Sequence, residues 1–478
     1  MTELFIDDMR KNLDNKSVTS EDLFNEAIDK AHKYQDDYNS FVTIMDSKEE
    51  VSSNTKLSGI PYALKDNIST KGILTTGSSN ILKDYVPVYD ATVYKKLKEA
   101  GAVLVGKTTL DELAMGGTGT TGHTGIVRNP WDKNRIIGGS SSGSVCSVAL
   151  GIVPFSIGSD TGDSIRKPAA YGGIVGFKPT YGRISRYGLF AFASSLDHVG
   201  VLARSVRDVS YVMDSIKGHD NNDMTSLPDE NILYSDNIDN DIKGKKLFYI
   251  KEALENKSGN TELQKIIDNF YSTVDKAREL GFIVEEVSID TKLLEAVYPV
   301  YNVISCAEAT SNNSNLTGIS FGSRIDGSDV NDIMMKTRTA GFSELIKRRF
   351  VIGSYVLQKE NQDKLFLNAC RVRRLLVDKF NELFKNYDGY ILPSIERIAP
   401  RFDETSDKLS DDYLILGNHL IIGNFGGYPS ISIPSGFVDG MPVSVNITGR
   451  AKDDHLVLNM ANKLEEALGY KGQVSKGE

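Results

Sequence analysis

Cysteine is scarce in this chain of 478 residues: Cys146, Cys306 and Cys370 stand far apart and without CxxC spacing. That pattern argues against a disulfide framework and a cysteine-based zinc site, and no metal is expected in the chain. Long hydrophobic runs are lacking as well. No apolar stretch approaches the ~20 residues that a membrane helix needs. The opening MTELFIDDMRKNLD has no signal-peptide core, so a cytoplasmic protein without membrane contact is expected. Positive charge is in deficit, with 55 Lys and Arg against 64 Asp and Glu and a net charge of −9. Gripping a nucleic-acid backbone calls for a basic face, so a nucleic-acid substrate would have to be held mainly by a partner. Strong linkers and internal repeats are missing too. Two polar segments, 219–245 and 401–411, read as surface loops. One domain over 1–478 is therefore expected, although length alone would suggest two or three.

What is there fits a large core, with 40% hydrophobic residues. Thr19-Ser20-Glu21-Asp22 predicts a capping box, with Val18 and Leu23 as a hydrophobic staple. The helix it opens joins residues 2–13 in a helical N-terminal region over 1–50. Strands are predicted at 41–45, 102–105, 155–157, 174–177, 246–250, 282–287, 430–433 and 443–447. Between them fall a helix capped by Asp90 and ending at Gly101, one capped by Ser205 and Asp208, and one over 262–280. Segments 293–313 and 340–385 are mostly helical, and a last helix starts near Asp454. Such alternation argues an α/β fold around a buried sheet.

Residues 138–179 hold two serine clusters set in glycine, Gly138-Gly139-Ser140-Ser141-Ser142-Gly143-Ser144 and Gly158-Ser159-Asp160-Thr161-Gly162-Asp163-Ser164. Small side chains bury little apolar area, whereas glycine lets main-chain N–H groups close around a small molecule. A flexible linker would lack the apolar segments 145–150 and 152–157 that separate the clusters. Gly101-Ala-Val-Leu-Val-Gly106-Lys107-Thr108 matches the phosphate-binding P-loop letter for letter. Its Ala-Val-Leu-Val centre reads as a strand, however, where that motif needs a loop. Gly139-Ser140-Ser141-Ser142-Gly143 contains a G-x-S-x-G elbow, but His198, His219, His419 and His455 stand in no telling context for its base. A neutral lysine can also activate serine. Deprotonating an ordinary lysine at pH 7 costs about 4.6 kcal/mol, which burial can largely remove. Spacing alone does not choose among Lys65, Lys107 and Lys178.

Three segments in order, GIPYALKDNI, GGSSSGS and GSDTGDSIRKPAA, resemble the amidase signature family. Residues 105–116 and 177–197 are similar to the branch of that family that supplies ammonia to tRNA-dependent amidotransferases. The likeness runs from about residue 17 to 467 and is most specific over a catalytic core at 59–204. It implies a large mixed sheet covered by helices on both faces. It also implies Ser164 as nucleophile, Ser140 as a serine after a cis peptide bond, and Lys65 as base. Main-chain N–H groups of Thr161, Gly162, Asp163 and Ser164 would form the oxyanion hole, with Arg166 supporting the loop. The implied reaction is hydrolysis of glutamine to glutamate and ammonia. The ammonia would serve a partner that converts Glu-tRNA(Gln), Asp-tRNA(Asn) or both. The B and C subunits of the amidotransferase would complete a heterotrimer, with ATP and Mg²⁺ on the partner and no cofactor in this chain. A stand-alone amidase acting on small amides is the alternative.

The chain departs from the family where Asp163 replaces a usual glycine, Lys167 an uncharged residue and Ser142 a glycine. A carboxylate facing the oxyanion would be repulsive. Asp163 is therefore expected to point away and pair with Lys167 or Arg166, and Asp163→Gly to keep glutaminase activity. For glutamine binding the family implies a tyrosine near Tyr301 and an arginine, Arg348 or Arg349. The acid expected near Gly417–Asn418 is missing, with Asp411 or Asp412 as substitutes.

Overall fold

The computed structural model describes residues 5–50, 53–405, 415–475 and 477. Eleven strands form one sheet. In chain order they are β1 (Phe41–Ile44), β2 (Pro61–Lys65), β3 (Val103–Thr108), β4 (Phe155–Asp160), β5 (Val175–Lys178) and β6 (His198–Ala203). They continue as β7 (Lys246–Ile250), β8 (Ile283–Val287), β9 (Gly389–Pro393), β10 (Ser430–Val438) and β11 (Met441–Gly449). Their order across the sheet is β1-β3-β2-β4-β6-β5-β10-β11-β9-β7-β8. The sheet is mixed. β2 runs parallel to both β3 and β4, and β7 runs parallel to both β9 and β8, while the remaining neighbours are antiparallel. The central strands β2 to β6 are buried along their whole length, which explains why they read as apolar runs without alternation.

Local signals act where the sequence places them. Thr19 and Asp22 close a reciprocal capping box on the helix Ser20–Tyr38, and Ser205 accepts from the Asp208 N–H at the start of Val206–Ile216. Asp90 does not cap its helix. The helix Thr92–Glu99 starts after Ala91 without a side-chain cap, and Asp90 instead accepts from the Lys71 N–H at 2.7 Å. Segment 219–245 is more than a surface loop, because Tyr234, Ile238 and Ile242 are buried in the main core. Of 401–411, residues 406–411 lie outside the described residues. Among the described residues no helix is long and apolar enough to cross a membrane.

Candidate active site

Parallel neighbours deliver their last residues to the same edge of a sheet, and β2 and β4 do so here. β2 ends on Lys65 and β4 on Ser159 and Asp160. The first serine cluster enters the helix Ser142–Ala149, which packs against both strands. Lys65 is fully buried. Its Nζ lies 2.8 Å from Ser140 Oγ, 2.9 Å from Ser141 Oγ, 2.9 Å from Ser159 Oγ and 3.3 Å from the Ser159 carbonyl. Asn67 also donates to Ser159 Oγ at 3.1 Å, and Ser141 donates to the Ser159 carbonyl at 3.1 Å. The Gly139–Ser140 peptide bond is cis.

Register explains why Lys65 and not Lys107 meets the serines. Residues paired across a ladder share a face, and neighbours along a strand alternate. Lys65 pairs with Thr108 and Lys107 with Leu64. Thr108 and Ser144, on the serine-bearing helix, lie 2.6 Å apart through their hydroxyls, so Lys65 shares the serine side. Lys107 turns to the other face, where it bonds Thr75 Oγ1 at 2.7 Å and the Ile68 carbonyl at 2.9 Å and pairs with Asp66 at 3.5 Å. Its Gly101–Thr108 context contains β3, as the objection to a P-loop requires. Lys178 is spent on the carbonyls of Tyr428 and Pro179. His198 and His419 are buried against the carbonyls of Leu196 and Pro393, and His219 is exposed in a loop.

Burial pulls the Lys65 ammonium down to about 7, against the opposing pull of the Asp111, Asp160 and Asp197 carboxylates. Desolvation penalises a charged amine, and every direct partner of Lys65 is a neutral serine oxygen.

The second cluster forms the turn from β4 to the helix Arg166–Gly172. Ser164, 5% exposed, joins the first cluster through its backbone, where its carbonyl accepts from the Ser141 N–H at 3.2 Å. Its hydroxyl donates no hydrogen bond among the described residues. Nor do the main-chain N–H groups of Thr161, Gly162, Asp163 and Ser164, whereas the next one, Ile165 N–H, goes to Asp160 at 2.9 Å. Arg166 holds the turn in shape. It is fully buried and bonds Asp160 at 2.8 and 3.1 Å, the Gly162 carbonyl at 2.8 Å, the Leu420 carbonyl at 2.7 Å and Asn424 at 2.6 Å. Burial pushes Asp160 up, but the Arg166 guanidinium, together with Lys178 and the Ile165 N–H, holds it well below the usual carboxylate range. Arg166→Met would strand a buried carboxylate and several carbonyls. A loss of roughly 3–5 kcal/mol in stability is expected, read by urea denaturation.

Tyr301 covers this turn, since a Cβ on Gly162 would lie 3.0 Å from its ring. Arg349 is half-buried and close enough to Tyr301 to draw its hydroxyl down, while Arg348 is exposed. Arg349 reaches the Met115 carbonyl through Nε at 3.1 Å and approaches Cys306 Sγ through Nη1 at 3.9 Å. Asp163 does not pair as expected. Lys167 bonds Glu396 at 3.3 Å and Arg166 pairs with Asp160, because those partners lie within reach of fully formed ion pairs. Asp411 and Asp412 lie outside the described residues. The carboxylate found beside Gly417 is Glu396, whose Cδ would stand 3.1 Å from a Cβ there. Sequence reasoning missed Glu396 entirely, and it passed over Ser141 and Ser159 as lysine partners although both stand within the serine clusters. Among the described residues no group of three or more His, Cys, Asp or Glu could hold a metal ion.

Residues 22–458 match the Amidase family. The chain is 38% identical to the A subunit of glutamyl-tRNA(Gln) amidotransferase from Fusobacterium nucleatum subsp. nucleatum, covering 98% of this chain and 97% of that protein. Identity to the protein of the same name from Heliobacterium modesticaldum is 42%, over 86% and 84% of the two chains. Among solved structures, the A subunit of glutamyl-tRNA(Gln) amidotransferase from Thermotoga maritima superposes with a TM-score of 0.82 at 35% identity, covering 97% of this chain and 95% of that one.

Proposed function

This chain belongs to the amidase family, and from that premise we propose that it is the glutamine-hydrolysing A subunit of a tRNA-dependent amidotransferase. The observation that carries the chemistry is the buried amine of Lys65 at 2.8 Å from Ser140 Oγ, beside the turn that bears Ser164. Ser141 gives its own proton to the Ser159 carbonyl, so it can only accept from Lys65. Ser159 Oγ takes the second N–H of a neutral amine. The lone pair is thereby left for Ser140.

Neutral Lys65 takes the Ser140 proton, and Ser140 takes that of Ser164 as Ser164 Oγ attacks the carbon of the glutamine side-chain amide. The oxygen of the tetrahedral intermediate gathers negative charge, which the free N–H groups of residues 161–164 stabilise. The relay then returns a proton to the leaving nitrogen. Ammonia departs, and a glutamyl ester remains on Ser164. Water adds through the same relay and releases glutamate, so glutamine and water become glutamate and ammonia. Arg349, rather than the exposed Arg348, meets the substrate carboxylate, for which a guanidinium offers two parallel donors. The B and C subunits complete the enzyme in the cytoplasm. The partner binds the misacylated tRNA and activates Glu-tRNA(Gln), Asp-tRNA(Asn) or both with ATP and Mg²⁺, which suits a chain of net charge −9.

Reconstitution with the two partner subunits tests this reading. Ammonia release from glutamine is expected to rise at least about tenfold, that is by ~1.4 kcal/mol in barrier, when ATP and misacylated tRNA are added. A chain that binds no partner and cleaves varied amides equally fast alone would establish the stand-alone amidase instead.

A further inference from the structure

We infer that Asp163 selects the substrate by its ammonium group, its carboxylate and the Arg349 guanidinium being opposite charges near Tyr301 that form no ion pair among the described residues. This deepens the glutaminase reading and rests on it.

Most charges near the Ser164 turn are already matched. Asp160 is paired with Arg166 at 2.8 Å and Glu396 with Lys167 at 3.3 Å. Asp197 is occupied by the Thr161 hydroxyl at 2.7 Å and by the N–H groups of Phe192 and Ala193. Asp111 is occupied by the N–H groups of residues 118–121. Asp163 is different. Half-buried and next to Ser164, its side chain makes no hydrogen bond or ion pair among the described residues. Burial pushes its carboxyl up to about 6, the pull of Lys167 being too weak to offset that and the nearby Asp160 and Glu396 charges. A cation is what this carboxylate lacks. Glu396 Oε2, buried without a hydrogen-bond partner, adds an unused acceptor within electrostatic reach.

Arg349 makes no ion pair among the described residues, and its bonds there come from Nε and Nη1 and none from Nη2. Tyr301 feels both charges, Arg349 drawing its hydroxyl down and Asp163 pushing it up beneath a larger effect of burial. One spare positive and one spare negative charge beside a nucleophile complement a zwitterion. The substrate class is thus an amino-acid side-chain amide with its α-ammonium free, not a blocked or deaminated amide.

The test compares L-glutamine with 4-carbamoylbutanoate, which lacks only the α-ammonium, in the complex reconstituted with its partner subunits. Wild type is expected to prefer glutamine by on the order of 100-fold in kcat/KM, the scale of a desolvated charge pair. Asp163→Asn and Asp163→Gly are each expected to bring the two substrates within about threefold of one another by lowering the value for glutamine. An unchanged urea unfolding midpoint reports that each variant is folded. Equal loss on both substrates, or an undiminished preference in both variants, overturns the assignment while glutamine hydrolysis stands. A wild-type complex that hydrolyses no glutamine overturns the glutaminase reading, and this inference with it.

Discussion

Ser164→Ala is expected to lower glutamine hydrolysis by roughly 10⁴-fold or more, the scale seen when a covalent nucleophile is deleted, with little change in stability. Both halves follow from the site. The Ser164 hydroxyl donates no hydrogen bond among the described residues, and the residue remains 5% exposed, so its removal orphans no buried partner there. The contacts that shape the turn come from elsewhere, from Arg166 to Asp160 and Gly162 and from Ser141 N–H to the Ser164 carbonyl. Those survive the substitution. Ser140→Ala would also depress the rate, but it removes a group bonded to Lys65 and leaves the nucleophile in place. Mass spectrometry of the enzyme quenched during turnover separates the two, because the glutamyl adduct belongs on Ser164. An adduct on Ser140, or a Ser164→Ala enzyme within tenfold of wild type, would overturn the assignment.

The second large effect concerns Lys65 and pH. Its amine titrates at about 7 in the folded protein because burial disfavours the charged form more than the Asp111, Asp160 and Asp197 carboxylates restore it. The active form is the neutral one, so raising the pH through 7 switches the enzyme on. Lowering it from there cuts kcat/KM by about tenfold per unit, leaving roughly a tenth of the plateau at pH 6. Lys65→Ala removes the proposed base, and a loss of about 10³-fold is expected, within the range for general-base deletion. The step near pH 7 should vanish from its residual activity. A step near pH 7 that persists in Lys65→Ala would assign that titration to another group. A step near 6 is expected to remain, because the Asp163 carboxyl, raised to about 6, must be ionised to meet the substrate ammonium, and Asp163→Asn removes it.

Much of this molecule is determined locally. The capping box at Thr19, the Ser205 cap and the apolar strands are set by residues that touch within a few positions, and periodicity reports them. The false P-loop is exposed by the same means, because the apolar Ala-Val-Leu-Val reads as strand where that motif needs a loop. The serine clusters and their likeness to one family also put Lys65, Ser140 and Ser164 forward as a set before any coordinate is known.

What only the tertiary structure decided are matters of facing and partnership. Lys65, Lys107 and Lys178 are all fully buried lysines at or near strand ends, and composition treats them alike. One residue of register sends Lys65 to the serines and Lys107 to Asp66. Arg348 and Arg349 are adjacent in sequence, yet the turn of one helix leaves the first in solvent and brings the second towards Tyr301. Asp163 stands four positions before Lys167, a spacing that suggests an ion pair along a helix. The lysine goes instead to Glu396, which arrives from a distant part of the chain. An ion pair forms between the charges that the folded backbone brings within about 4 Å, and for a charge whose rival partner lies more than 200 residues away no local pattern carries that information. The sequence, through its family likeness, therefore puts forward the reacting groups proposed above, and the fold leaves Asp163 without a counter-ion among the described residues.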